Sequence, residues 1–93
     1  MKLYYSKDAI ADLVRLREFI AENSPPAAAR IASKLQKGIE ALKTNPKLGH
    51  PVLKAPNPET VRDLMLGHNV VRYLVSSERL IILRIWHHRE DER

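Results

Sequence analysis

The sequence contains no cysteine, which excludes a disulfide framework, a zinc site built on thiolates and a cysteine nucleophile. It has no uninterrupted apolar run of about 18 residues, so we expect no membrane-spanning segment. The first five residues do not lead into the long apolar stretch of a signal peptide. Internal repeats and low-complexity tracts are also missing. These absences favour a cytoplasmic protein with a single domain over residues 1–93.

Positive charge is present in excess. The chain carries 16 Lys and Arg residues against 11 Asp and Glu residues, with a formal net charge of +5 and a pI of about 9.8. Such a balance points to an anionic partner, which could be nucleic acid, a ribosome or an acidic protein. A basic surface kept for solubility would give the same balance, and charge alone does not choose among the partners.

The sequence begins with a predicted strand and an amphipathic helix. Residues 2–5 include tyrosines, which suit a strand. Ser6 offers an N-cap hydroxyl and Asp8 places negative charge in the first turn, so we predict a helix over about residues 7–22. Its apolar stripe is expected to hold Ile10, Leu13, Val14, Leu16, Phe19 and Ile20, and its polar side Asp12, Arg15, Glu18 and Glu22.

A second amphipathic helix is predicted after Ser24, another suitable N-cap, because proline is tolerated in the first helical turn. The residue before Pro46 avoids the helical region, so the helix should end there. Two helices joined by so short a connection should pack as an antiparallel hairpin. The apolar stripe is Ile31, Leu35, Ile39 and Leu42, and the residues off the stripe include Arg30, Lys34, Lys37 and Lys43.

The rest of the chain predicts a loop and three strands. Residues 45–60 contain four prolines and Gly49, and this loop is either a plain connector or a place for functional contacts. Residues 61–66, 70–76 and 80–87 are rich in β-branched and aliphatic side chains, and short breaks between them predict an antiparallel meander. The order β-α-α-β-β-β predicts an α+β domain with the helix hairpin packed on one face of a small, mainly antiparallel sheet.

Strand alternation assigns the side chains of the last two strands to two faces. The purely apolar sets should lie beneath the helices. The other face mixes Arg, Trp and His with aliphatic residues and is too apolar to be left in water. We expect it to bind a partner, unless the loop or the C-terminal residues fold across it. The first sets are Val71, Tyr73 and Val75 with Ile81, Leu83, Ile85 and His87; the second are Val70, Arg72 and Leu74 with Ile82, Arg84, Trp86 and His88.

This order of elements, with three strand motifs, resembles the RelE/ParE superfamily of toxins from bacterial type II toxin–antitoxin systems. Residues 69–75, Asn-Val-Val-Arg-Tyr-Leu-Val, resemble the family's third strand, and Tyr73 matches its tyrosine. Residues 82–91 resemble the final strand and its exit, where His87 and Arg89 form a His-x-Arg pattern. Residues 61–64, Val-Arg-Asp-Leu, are similar to the Arg-x-Leu motif of the second strand. The similarity covers essentially the whole chain.

The resemblance implies one of two activities. RelE-like members cut messenger RNA in the ribosomal A site, whereas ParE-like members poison DNA gyrase, and an antitoxin wraps around and silences both. The second-strand lysine positions of RelE-like members fall on Val61 and Asp63, and their third-strand arginine falls on Val70. Their catalytic tyrosine position falls beyond Arg93, which leaves only the final-strand arginine, as Arg89. Because lost phosphate-stabilising cations raise the barrier to RNA cleavage, the resemblance favours the ParE-like branch.

Three interpretations stay open. The first is a gyrase-inhibiting toxin that is not an enzyme. The second is a ribosome-dependent endoribonuclease, with a different acid–base set drawn from His87, His88 and Arg89, together with Arg72 and Arg84. Adjacent strand residues point to opposite faces, however, and a lone histidine at a strand end more often packs than catalyses. The third is a non-toxic basic binding module, although the regular core periodicity argues against a decayed toxin.

The partners implied are a cognate antitoxin and DNA gyrase, with the ribosome and its messenger RNA as the alternative target. No cofactor is expected, and no metal site, because the four histidines lack paired ligand spacing. An acidic, partly disordered antitoxin segment should dock on the mixed sheet face and on the helix hairpin. The residues expected to contact target or antitoxin are Arg62, Arg72, Arg84, Trp86, His87 and Arg89.

Overall fold

The computed structural model describes residues 1–57 and 60–88. One sheet is formed by five strands in the order β1-β5-β4-β3-β2, in which β1 runs parallel to β5 and the other neighbours are antiparallel. The predicted α+β fold is confirmed. The elements are β1 (Lys2–Tyr5), α1 (Lys7–Asn23), α2 (Pro25–Ala41), β2 (His50–Pro51), β3 (Val61–Leu66), β4 (Asn69–Val75) and β5 (Arg79–His87).

The helix boundaries follow the local chemistry of the sequence. The Ser6 hydroxyl accepts a hydrogen bond from the backbone N–H of Ala9 at 3.0 Å, and the Ser24 hydroxyl accepts one from Ala27 at 3.3 Å. Both serines satisfy N–H groups that have no partner within their helix. Because Ser24 alone separates α1 from α2, the chain reverses there and the two helices pack together.

The prediction of a loop over residues 45–60 was wrong at one point. His50 and Pro51 form the short edge strand β2, which pairs with Asp63 and Arg62 of β3. Proline suits this position because an edge strand does not need every N–H for pairing. Residues 45–60 are therefore attached to the edge of the sheet through β2.

The core lies between the two helices and one face of the sheet. Tyr73 and Ile85 are fully buried there, and Val71 shares their face as the alternation predicted. Among the described residues, no helix is long and apolar enough to cross a membrane. The buried cluster comprises Ala9, Leu16, Leu35, Ile39, Leu42, Leu64, Val71, Tyr73, Leu80, Ile82 and Ile85.

The predicted stripe of α1 was wrong for four residues. Ile10, Val14 and Phe19, expected in the core, are 54%, 45% and 46% exposed. Asp12, expected on the polar side, is only 1% exposed. The buried side of the helix is centred on Ala9 and Leu16 instead. Asp12 lies within that arc because its carboxylate bonds to the backbone of β5.

A β-bulge in β5 also overturns part of the predicted division of faces. Arg72 pairs with Arg84, but the next residue, Tyr73, pairs with Ile82, so Leu83 has no partner in β4. One extra residue reverses the alternation of side chains beyond it. Ile82 is consequently buried in the core rather than on the other face, together with Leu80. Ile81 and Leu83, expected beneath the helices, are only half-buried and lie outside the core cluster.

Candidate functional site

The sheet face opposite the helices carries an arginine, a tryptophan and a carboxylate in contact, and we call it the open face. Arg72 donates two hydrogen bonds to the carboxylate of Asp63, at 2.8 and 2.9 Å. Its guanidinium carbon also lies 5.1 Å from the centre of the Trp86 ring, a cation–π arrangement. The hydrogen bonds from Arg72 to Asp63 raise the pKa of Arg72. The register puts Val70 beside Trp86, and both are buried. Val70, Arg72 and Trp86 thus share a face as predicted, whereas Ile82, predicted beside them, lies in the core.

The Arg84 guanidinium is bound to α1 at the edge of the sheet. It donates to both carboxylate oxygens of Asp12, at 2.8 and 3.0 Å. Arg15 also donates to Asp12 at 2.6 Å and reaches the carbonyl of Ile85 at 3.2 Å. The N–H of Ile85 donates to Asp12 at 2.9 Å. β1 ends opposite Ile82, so these α1 side chains satisfy backbone groups of β5 that β1 does not reach.

The ionised form of Asp12 is strongly favoured. Burial on its own raises the pKa of this carboxyl, but hydrogen bonds from Arg84, the Ile85 N–H and Arg15 outweigh it, so the pKa falls from 3.8 to about 2. The guanidinium of Arg84 is therefore held in an ion pair with Asp12. A variant that lacks Arg84 removes a structural contact as well as a surface charge.

Tyr73 and Arg62 hold the segment that leads into β2. The Tyr73 hydroxyl donates to the carbonyl of Pro46 at 2.7 Å and accepts from the N–H of Gly49 at 2.9 Å. Arg62, only 6% exposed, donates to the carbonyl of Gly49 at 2.8 Å. A Cβ on Gly49 would lie 2.8 Å from the Asp63 carbonyl oxygen, so the chain can pass here only as glycine. Burial raises the pKa of the Tyr73 hydroxyl, which stays neutral and able to donate.

Histidine rings meet at one corner of the domain. His87 lies 6.2 Å from the Phe19 ring and 5.9 Å from the His68 ring, between centroids. It is half-buried, whereas His88 is exposed and donates its backbone N–H to the carbonyl of His68. Within residues 1–57 and 60–88, no three potential metal ligands cluster. Arg89, another predicted contact residue, lies outside the described residues.

An apolar groove runs between α1 and α2. Its volume is about 300 Å³. Tyr5, which lines the groove, is exposed. Ile10 and Val14 are also exposed, and each comes three residues before a groove-lining residue of α1, Leu13 or Arg17, which places them on the neighbouring arc of the helix. An amphipathic helix binds to such a groove through side chains three and four residues apart. Residues of both helices and of β1 line the groove: Tyr5, Leu13, Leu16, Arg17, Ile20, Ala28, Ile31, Ala32, Leu35, Gln36 and Ile39.

Both sheet arginines are bound to carboxylates of the protein. The guanidinium groups of Arg72 and Arg84 are already bound to carboxylates, and Asp63 places negative charge where a phosphate would have to approach.

Comparison with known proteins agrees with this architecture. A family model described as the ParE toxin of the type II toxin–antitoxin system parDE matches residues 3–92. The chain belongs to the ParE toxin family. It is also 34% identical over 80 residues to Toxin RelE2 of Caulobacter vibrioides, with 85% of each chain covered.

Two solved structures share the fold of this ParE-family chain. The first is a chromosomal ParDE TA system from P. aeruginosa, with a TM-score of 0.76 at 24% identity and with 94% of this chain and 95% of that chain covered. The second is the solution structure of a conserved hypothetical protein from Helicobacter pylori, with a TM-score of 0.62, 22% identity and 97% of both chains covered. The chain is thus the toxin of a type II toxin–antitoxin system, and such a toxin has a cognate antitoxin.

Sequence reasoning found Arg62, Arg72, Arg84, Trp86 and His87 but not what each one contacts. It missed Asp12, although Asp12 falls between Ala9 and Leu16 at helical spacing. It described the helix hairpin as a docking surface but not the groove. Contact of these residues with a target or an antitoxin stays a prediction.

Proposed function

We propose that this ParE-family toxin acts by binding DNA gyrase and blocking its cycle, without cutting RNA. The observation that carries the proposal is the state of the sheet arginines, since Arg72 and Arg84 each form a two-point contact with a carboxylate. A toxin that only binds needs shape and exposed anchors rather than free cations around a scissile phosphate.

The antitoxin would dock at the groove between α1 and α2 and extend to the open face. The groove and its border at Ile10 and Val14 present apolar surface to an amphipathic helix. Arg17 lines the same groove and would pair with an acidic residue of that helix. Ordering of a disordered antitoxin tail on this surface would add to the stability of the toxin by mass action.

The proposed target is tested with one purified sample in two assays. In the first, toxin is added to gyrase, ATP and plasmid; in the second, it is added to ribosomes carrying messenger RNA. We expect loss of supercoiling and intact messenger RNA. Cut messenger RNA with unaffected gyrase would overturn the proposal. If both assays give no effect with folded toxin, a gyrase target is equally excluded.

A ribosome-dependent endoribonuclease is the second candidate function, and two observations favour it. The relative from Caulobacter vibrioides carries the name RelE2, and the rings of His68 and His87 lie at the same corner of this toxin. An imidazole at this corner would act as general base or acid toward the ribose 2′-hydroxyl and the leaving oxygen. The variant His87→Gln should then abolish cleavage, whereas the gyrase proposal predicts no cleavage by either protein.

A further inference from the structure

The net positive charge of the chain is confined to one part of the molecule. Residues 25–57, which comprise α2, β2 and the segments on either side of β2, contain six basic residues and one acidic residue, and so carry the entire charge of +5. The remaining residues carry ten charges of each sign. The six basic residues are Arg30, Lys34, Lys37, Lys43, Lys47 and Lys54.

Three of these cations form a stripe on α2. Arg30, Lys34 and Lys37 follow at spacings of four and three, which places them within about 60° of arc and about 10 Å of helix length. All three are exposed. Among the described residues none of them forms a salt bridge, whereas Arg72 and Arg84 on the sheet are bound to carboxylates. The excess of positive charge therefore lies on α2 and the loop after it, and not on the open face.

We propose that the stripe of Arg30, Lys34 and Lys37 binds the phosphate backbone of double-stranded DNA. A row of unpaired cations on a rigid helix provides the sequence-independent contact through which proteins bind duplex phosphates. This inference deepens the proposed function and rests on it, because the DNA that the toxin would meet is the duplex bound by gyrase. The toxin would then contact the DNA of the gyrase complex as well as the enzyme.

The surroundings of the stripe favour a duplex over other anionic partners. Residues 25–57 contain no Phe, Trp or Tyr, so this surface lacks the aromatic side chains on which single-stranded bases stack. Among the described residues, none of the large exposed apolar side chains lies on α2: Ile10, Val14 and Phe19 are on α1, and Leu48 and Leu53 are in the loop that follows α2. An acidic peptide bound to the stripe of Arg30, Lys34 and Lys37 itself would be held by charge alone.

The test measures binding of free toxin to a short labelled DNA duplex as salt is varied. We compare the wild type with two triple variants of equal net charge. One is Arg30→Glu, Lys34→Glu, Lys37→Glu; the other, Lys2→Glu, Lys7→Glu, Arg79→Glu, changes exposed cations elsewhere. At about 100 mM salt the first variant should bind more than tenfold more weakly, and its slope of log affinity against log salt should fall by about 2.7. The second should stay within about threefold of the wild type.

Several results would overturn the inference. These are no duplex binding by the wild type, equal losses in the two variants, tighter binding of single-stranded than of duplex DNA, or displacement of the duplex by polyglutamate as readily as by unlabelled duplex. Circular dichroism verifies that both variants are folded. Gyrase inhibition is measured separately: a toxin that binds DNA through α2 but leaves supercoiling intact keeps this inference and refutes the proposed target.

Discussion

At the scale of single residues, Asp12 connects more of the fold than any feature of the sequence suggested. Its carboxylate receives two arginines and one backbone N–H, and these contacts attach α1 to the strand edge that β1 leaves uncovered. Removing one partner of such a buried group leaves the others without compensation. The expected consequence is a specific dependence of stability on pH.

The variant Asp12→Asn should unfold more easily at neutral pH. The folded-state pKa of Asp12 is about 2 and its reference value is 3.8, so ionisation contributes about 2 kcal/mol to the free energy of unfolding. This contribution is complete above about pH 5 and is lost as the pH falls through 4 toward 2. Urea denaturation at a series of pH values should show the gap between wild type and variant close over that range.

The matched control is Glu18→Gln, which neutralises an exposed carboxylate of the same helix. Its free energy of unfolding should stay within about 0.5 kcal/mol of the wild type. A gap for Asp12→Asn that is the same at pH 3 and pH 7 would contradict the assignment.

Tyr73 offers a second prediction at this scale. Tyr73→Phe should lower the free energy of unfolding by about 1–3 kcal/mol, because the N–H of Gly49 and the carbonyl of Pro46 both lose their partner. Amide hydrogen exchange at Gly49 should become faster. Tyr4→Phe, at a position 45% exposed, is the control and should change neither quantity. Unchanged exchange at Gly49 in Tyr73→Phe would show that the hydroxyl does not hold this segment.

At the scale of elements, α1 divides its surface between the fold and a partner. One arc packs on the sheet, and the neighbouring arc leaves Ile10 and Val14 exposed beside the groove. Apolar periodicity alone did not separate these arcs, because both are apolar. The bulge at Leu83 was likewise hidden, since residues 80–85 are aliphatic at five of six positions and give the same pattern in either register.

The variant Val14→Glu should weaken antitoxin binding by more than tenfold and leave the stability of the free toxin within about 0.5 kcal/mol, because the side chain is already 45% exposed. Isothermal titration and thermal unfolding measure the two quantities. Leu53→Glu adds the same charge at a position 84% exposed in the loop and should bind like the wild type. If Val14→Glu bound the antitoxin as tightly as the wild type does, this part of α1 would not belong to the docking surface.

At the scale of the whole molecule, the order of elements and the α+β architecture could be read from periodicity and turn signals. The caps at Ser6 and Ser24 and the meander of β3 to β5 each depend on local chemistry that the sequence displays. The contacts of Asp12 with Ile85 and of Tyr73 with Pro46 join residues 73 and 27 positions apart. Local patterns carry no information on such contacts, and for this reason the candidate site was predicted less completely than the fold.

The molecule thus presents three surfaces with different chemistry. The open face carries Arg72 held by a carboxylate, the groove is mainly apolar, and α2 with the loop after it carries the net positive charge of the chain. We infer that a binding toxin uses these surfaces together, with the antitoxin and the gyrase–DNA complex as occupants.

The most direct test of the claim that the toxin inhibits gyrase measures the amount of linear plasmid released from gyrase. Gyrase, ATP and supercoiled plasmid are incubated with the toxin, then treated with detergent and protease, and the linear DNA is quantified with and without the antitoxin. We predict one of two effects of the toxin: linear plasmid accumulates as the toxin dose rises, or supercoiling stops although no linear plasmid accumulates. The antitoxin should reverse either effect. Full supercoiling at toxin concentrations that arrest growth would contradict the account and place the target elsewhere.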